Sequence, residues 1–304
     1  MSWNKYARIK LRALPVAVWL LAWLASASAS AVEPPTGIAI LKVAFPGSTN
    51  WWLKPDGDLE VNGQKINAKC EGHGTGPQNF TTINDPVIGG RVLHYLCTAQ
   101  WKSDFKARQE HYLHLAPLHQ TFVSEFSLKL DDNFTPVKIR RPDGGRNWCI
   151  LHQWHQGHAI DSRAKSPPIS LQVEPGTSNV LEWVILFGGD APDSIEKRQF
   201  GEQRVTLGKW YHFRVEWNVS PDQNGRCIVQ MSEQILPSQL TAKETLFTYR
   251  GPIGYVEPSV PVADYADHGP TSIREQMGIY QGPHLNLQAH HGFSVADVAI
   301  YRLK

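Results

Sequence analysis

Apolar and polar side chains alternate at a period of two through much of this chain. Residues 121–130 (TFVSEFSLKL) place Phe122, Ser124, Phe126, Leu128 and Leu130 on one side and Val123, Glu125, Ser127 and Lys129 on the other. In residues 210–217 (WYHFRVEW), Tyr211, Phe213, Val215 and Trp217 share a face. Such alternation predicts half-buried strands. Residues 169–173 and 181–187 read as further strands, and 293–303 as a closing strand. Residues 221–225 (PDQNG) carry a hairpin-turn signal. Helical signals are sparse: 195–200 and 238–243 read as single turns. Many short strands with turns between them predict an all-β sandwich or jelly roll.

Residues 1–31 break this pattern. Lys5, Arg8, Lys10 and Arg12 precede an apolar run over 13–24, and residues 25–31 (ASASASA) offer small-residue cleavage sites. This is the layout of a secretory signal peptide, so the mature protein is expected to be secreted or periplasmic. No later apolar run approaches the roughly 18 residues that span a bilayer. The remainder, 32–304, shows no linker, repeat or charge block and reads as one domain.

Removing the leader changes the charge. The 304-residue chain has 30 Lys/Arg and 28 Asp/Glu, a formal +2. The leader holds four of the basic residues and no acidic one, leaving 26 against 28, or −2. A net basic field for polyanions such as nucleic acid is therefore not visible. At 19% charged and 10% aromatic residues the chain is not of the disordered class. Four cysteines, Cys70, Cys97, Cys149 and Cys227, suit two disulfides in an oxidising compartment. The pairing Cys70–Cys97 and Cys149–Cys227 is preferred, because each pair lies within one half of the chain.

Four stretches could carry chemistry: Arg108-Gln109-Glu110-His111, residues 150–156 (ILHQWHQ), Gly208-Lys209-Trp210-Tyr211 and residues 276–281 (QMGIYQ). On a strand, Gln153 and His155 project from one face while His152 and Trp154 point to the other. Gln276, Gly278 and Tyr280 likewise share a face, and Gly278 is expected to leave open space between two polar side chains. The Gly-Lys-Trp-Tyr run reads as a tight turn and a core-entering Trp. His152, His155 and His158 would share a face only on a helix, which argues against a zinc site here. Each stretch alone also fits an ordinary scaffold role.

In their order along the chain these stretches resemble the jelly-roll polysaccharide lyases, in particular the group containing heparin lyase I and glucuronan lyase, with more distant similarity to the jelly-roll alginate lyases. Gln153-Trp154-His155 matches the Gln-x-His element, and Arg108-Gln109-Glu110 the Arg-x-Glu element. Residues 276–280 match part of Lys-x-Gly-x-Tyr, with Gln276 where the family usually has Lys. Residues 208–211 match the Gly-Lys-Trp-Tyr strand. The resemblance runs from about residue 108 to 304; residues 32–100 carry no matching motif.

The resemblance implies a concanavalin A-like β-jelly-roll and cleavage of a uronic-acid-containing polysaccharide, glucuronan- or alginate-like, by β-elimination. Such an enzyme neutralises the uronate carboxylate, removes the C5 proton and protonates the O4 leaving group. Tyr280 and His155 would be the acid/base pair. Gln153, helped by Arg108 and with Gln276 nearby, would hold the substrate carboxylate. No cofactor is required, though a structural cation such as calcium would fit. The implied partner is an acidic polysaccharide rather than nucleic acid or, once the leader is gone, a membrane, and the implied state is a monomer. Two rivals remain at this point. One is a glycoside hydrolase on the same sandwich, for which the Glu-x-Asp-x-x-Glu strand of sandwich glucanases is missing. The other is a non-catalytic sandwich, either a carbohydrate-binding module or a secreted structural domain with a degenerate site, a reading that Gln276 in place of Lys keeps open.

Overall fold

A computed structural model describes residues 36–43, 51–71, 80–97, 107–115, 118–134, 149–156, 167–175, 181–188, 196–233, 244–255, 273–281 and 291–304. Seventeen strands are found among them: β1 (Gly37–Val43), β2 (Trp51–Leu53), β3 (Leu59–Val61), β4 (Gln64–Glu71), β5 (Phe80–Asp85), β6 (Gly90–Cys97), β7 (Ala107–Leu115), β8 (Phe122–Leu130), β9 (Cys149–Gln156), β10 (Ile169–Pro175), β11 (Leu181–Phe187), β12 (Glu196–Arg204), β13 (Trp210–Asn218), β14 (Arg226–Ser232), β15 (Glu244–Arg250), β16 (Ile273–Gln281) and β17 (His291–Leu303). No helix among the described residues is long and apolar enough to cross a membrane.

The strands form two antiparallel sheets. One runs β15-β14-β13-β8-β17-β6-β5, with β1 also on β17. The other runs β12-β11-β10-β9-β16-β7-β4-β3-β2. The expected all-β jelly-roll sandwich is the observed fold. The first six strands, which carried no sequence motif, contribute to both sheets.

The alternation seen in sequence sets the core. Phe126 of β8 opposes Phe213 of β13, with rings 5.6 Å apart, and Phe122 stacks on Trp217 at 4.6 Å. Trp154, Trp183, Trp210 and Trp217 are all fully buried. Burial of each such side chain contributes on the order of 2 kcal/mol. The turn before β13 needs a left-handed residue, supplied by Gly208 at φ +74°. It delivers Trp210 into the core, where the indole N–H donates to Asp85 at 3.2 Å. The Gly-Lys-Trp-Tyr run is therefore scaffold.

Three expectations are corrected. Residues 196–200 are strand rather than a helical turn: β12 pairs with β11, and that pairing outweighs the weak local pattern. Cys149 and Cys227 are buried free thiols, not a disulfide. They belong to opposite sheets, β9 and β14. Gly278, third, does not open a space. A Cβ there would meet the Gln109 carbonyl oxygen at 2.0 Å and Glu110 Cα at 2.5 Å. The glycine permits close approach of β7 at φ +152°. The leader, the turn at 238–243, His158 and the side chains of Cys70 and Cys97 lie outside the described residues.

Candidate functional site

β16 runs between β7 and β9 in the second sheet. In that register Gln276 opposes Gln153 of β9 and Tyr112 of β7, Gly278 opposes Glu110, and Tyr280 opposes Arg108. Arg274 opposes His155. Period-two geometry then puts Arg108, Glu110, Gln153, Arg274, Gln276 and Tyr280 on one sheet face.

Glu110 is the centre of this face. It is fully buried, and its carboxylate is matched by donors from all three strands. The Gln153 amide N–H donates to Glu110 Oε1 at 2.5 Å. The Arg108 guanidinium pairs with Oε2 at 2.9 Å. The Gln276 amide can face two ways. In one, its oxygen accepts only from Gln153 at 3.2 Å. In the other, its nitrogen donates to Glu110 Oε2 at 3.0 Å and its oxygen accepts from Arg274 Nε and Nη2 at 2.8 and 3.1 Å. The second orientation makes three bonds, all to charged groups, and is the one adopted below. Beyond Arg108 lies Tyr280: the guanidinium carbon sits 4.1 Å from the centre of its ring. Tyr280 is partly exposed, while Arg108, Gln153, Arg274 and Gln276 are buried.

Of the residues singled out in sequence, Arg108, Gln153, Gln276 and Tyr280 are thus joined in one row. His155 stands on a different rung from Tyr280. From the His155 rung to the Tyr280 rung β9 advances five residues, about 17 Å at a strand's rise per residue. The expected acid/base pair is therefore anchored at two separate backbone positions along the sheet. The antiparallel register that sets Gln276 against Gln153 sets Arg274, rather than Tyr280, against His155.

Two members of the row were not identified in sequence. Glu110 was part of a noted motif without a role of its own. Arg274 lies two residues before Gln276, so the same alternation that groups Gln276 with Tyr280 would have found it. With Arg274 included, the row holds two guanidinium groups against one carboxylate. A local positive excess is thereby set within the row.

The opposite face of the same strands is also polar. His152 Nε2 donates to Glu275 Oε1 at 2.7 Å, and the Ser124 hydroxyl donates to Glu275 Oε2 at 2.9 Å. The His152 ring stacks on Phe126 and Trp154 at 4.2 and 4.5 Å. His152 and His155 therefore face opposite ways. Among the described residues no cluster of three or more His, Cys, Asp or Glu could hold a metal ion.

No family model matches the sequence, and no curated protein matches it. Solved structures do. The endo-β-1,4-glucuronan lyase of the fungus Trichoderma reesei superposes with a TM-score of 0.51 at 11% identity, over 73% of this chain and 86% of that one. The alginate lyase Aly36B superposes with a TM-score of 0.50 at 9% identity, over 89% of this chain and 99% of that one. A mutant of that enzyme in complex with alginate trisaccharide gives 0.51. At these identities the likeness is one of architecture: the chain has the two-sheet jelly-roll fold of these polysaccharide lyases.

Proposed function

We propose that this protein is an exported polysaccharide lyase that cleaves a uronic-acid-containing chain, glucuronan- or alginate-like, by β-elimination. The observation that carries the proposal is the row itself. A partly exposed Tyr280 sits under the Arg108 guanidinium, and Arg108 is tied through Glu110 to the amide of Gln153.

Elimination needs the uronate carboxylate's charge offset, so that the electrons left on C5 can be delocalised when its proton departs. Arg108 and Gln153 supply donors for that. Tyr280 is the group suited to take the C5 proton and return one to O4 as the C4–O4 bond breaks. The anchoring of His155 and Tyr280 on separate rungs favours one group doing both transfers on the same side of the sugar. His155 then serves binding, beside Arg274. No metal or organic cofactor enters these steps. The fold shared with a glucuronan lyase and an alginate lyase supports the reading.

A second reading, a carbohydrate-binding module without catalysis, draws on the same spacing and on Gln276, which brings no charge of its own. One experiment separates the two. The mature protein is incubated with glucuronan, alginate and other polyuronates, and the ultraviolet absorbance of the new C4=C5 double bond is followed. Absorbance should rise with at least one substrate, and Tyr280→Phe should abolish the rise while leaving the thermal unfolding midpoint unchanged. Binding without absorbance would establish the module instead. Full activity in Tyr280→Phe would remove Tyr280 from the chemistry.

A further inference from the structure

Arg274 and Tyr280 lie six residues apart on β16, yet hydrogen bonds connect their surroundings across β7. Arg274 donates twice to the Gln276 carbonyl, at 2.8 and 3.1 Å. The Gln276 N–H donates to Glu110 at 3.0 Å. Glu110 pairs with Arg108 at 2.9 Å and accepts from Gln153 at 2.5 Å. Arg108 covers the Tyr280 ring at 4.1 Å. Arg274, Gln276, Glu110 and Gln153 are each at most 3% exposed, so water competes little for these bonds.

We propose that Arg274 is a positioning residue: by fixing the Gln276 amide it orients Glu110, and through Glu110 it holds Gln153 and Arg108 beside Tyr280. The proposal rests on the lyase reading above and explains why an amide stands at position 276. An amide accepts from a guanidinium and donates to a carboxylate at the same time. An ammonium at 276 could not accept, and would bring a second cation against Arg274. A carboxylate there would satisfy Arg274 but meet Glu110 with like charge. Once Arg274 is removed, the Gln276 amide is free to turn its oxygen toward Glu110. One of the three donors to that buried carboxylate is then lost.

The test is a double-mutant cycle of Arg274→Met, Gln276→Met and the double variant, read as kcat, KM and unfolding midpoint. Each single substitution should lower kcat about tenfold or more with KM changed little. The double should be no slower than the slower single, because both break the same link. Arg274→Lys, which can still donate to the Gln276 carbonyl, should recover part of the lost kcat. A kcat unchanged in Arg274→Met, or losses that multiply in the double, would overturn the proposal. The unfolding midpoints separate this from the lyase reading. If the wild type forms no unsaturated product, the lyase reading falls, while additive midpoint shifts refute the link itself.

Discussion

Acidification from pH 7 to pH 4 should remove about 3 kcal/mol of stability through one buried imidazole, His111. This side chain of β7 points into the core, where its Nε2–H donates to the Gly57 carbonyl at 2.8 Å and its Nδ1 accepts from the Tyr95 hydroxyl at 2.9 Å. The second bond requires the neutral ring: a protonated imidazole still donates to Gly57 but can no longer accept at Nδ1. Burial lowers its pKa from the ordinary 6.5 to about 4, against the smaller opposing effects of the Gly57 bond and the Asp58 charge. The sign follows from proton counting. Above pH 6.5 neither state binds the proton and the contribution is whole. Between 6.5 and about 4 the unfolded chain binds it and the folded one does not, so stability falls as pH falls. At about 1.4 kcal/mol per tenfold change in proton affinity, the loss is about 3 kcal/mol. That is a large share of the roughly 5–15 kcal/mol that holds a domain folded. The assay is urea unfolding of wild type and His111→Gln at several pH values between 7 and 4. Taking the difference between the two proteins cancels the other titrating groups. The wild-type advantage should shrink by about 3 kcal/mol across that window. A difference flat from pH 7 to pH 4, or one that grows on acidification, would refute the reasoning.

Gly278→Ala should cost about 3 kcal/mol, since the methyl group would collide with the β7 backbone and the φ of +152° suits only glycine; a urea midpoint within about 0.5 kcal/mol of wild type would contradict this. Cys149 and Cys227 should stay unreactive toward a thiol reagent until the protein is unfolded, because burial raises both thiols, Cys227 to about 12. A Cys149–Cys227 cross-linked peptide in a non-reducing digest would show that this reading of the core is wrong.

The sandwich was legible where one strand face alone meets the core. β8 and β13 alternate because their inward side chains stack on one another across the ladder. β12 was not legible, since its segment lacks alternation and takes its form from pairing with β11. The site divides along the same line. Alternation alone put Gln153 with His155, and Gln276 with Tyr280, because period two is a property of a single strand. Which rung faces which is a property of two strands. The antiparallel register of β9 and β16 sets His155 opposite Arg274, the shift between Met277 and Tyr280 sets Tyr280 opposite Ile150, and no pattern within either segment announces them. The Cys149–Cys227 pairing failed for a similar reason: nearness in sequence does not set which strands bring two sulfurs together.

The register that builds the row is held from behind. On the core face, Glu275 lies opposite Trp154, and Met277 opposite His152, one residue to either side of the Gln276–Gln153 rung. Glu275 is bound there by His152 and by Ser124, whose oxygen in turn accepts from the Trp217 indole at 2.9 Å. A slip of one residue between β9 and β16 would exchange the faces, turning Gln276 inward and Glu275 outward. It would break the Glu275–His152 pair and leave Glu110 without its Gln276 donor at the same step. Stripping a buried charged group of its partner costs about 3–5 kcal/mol, so the two networks penalise the same error from opposite sides of one sheet. The buried polar groups of β9 and β16 therefore fix alignment more than they add stability, and it is alignment that a row of donors beside Tyr280 requires.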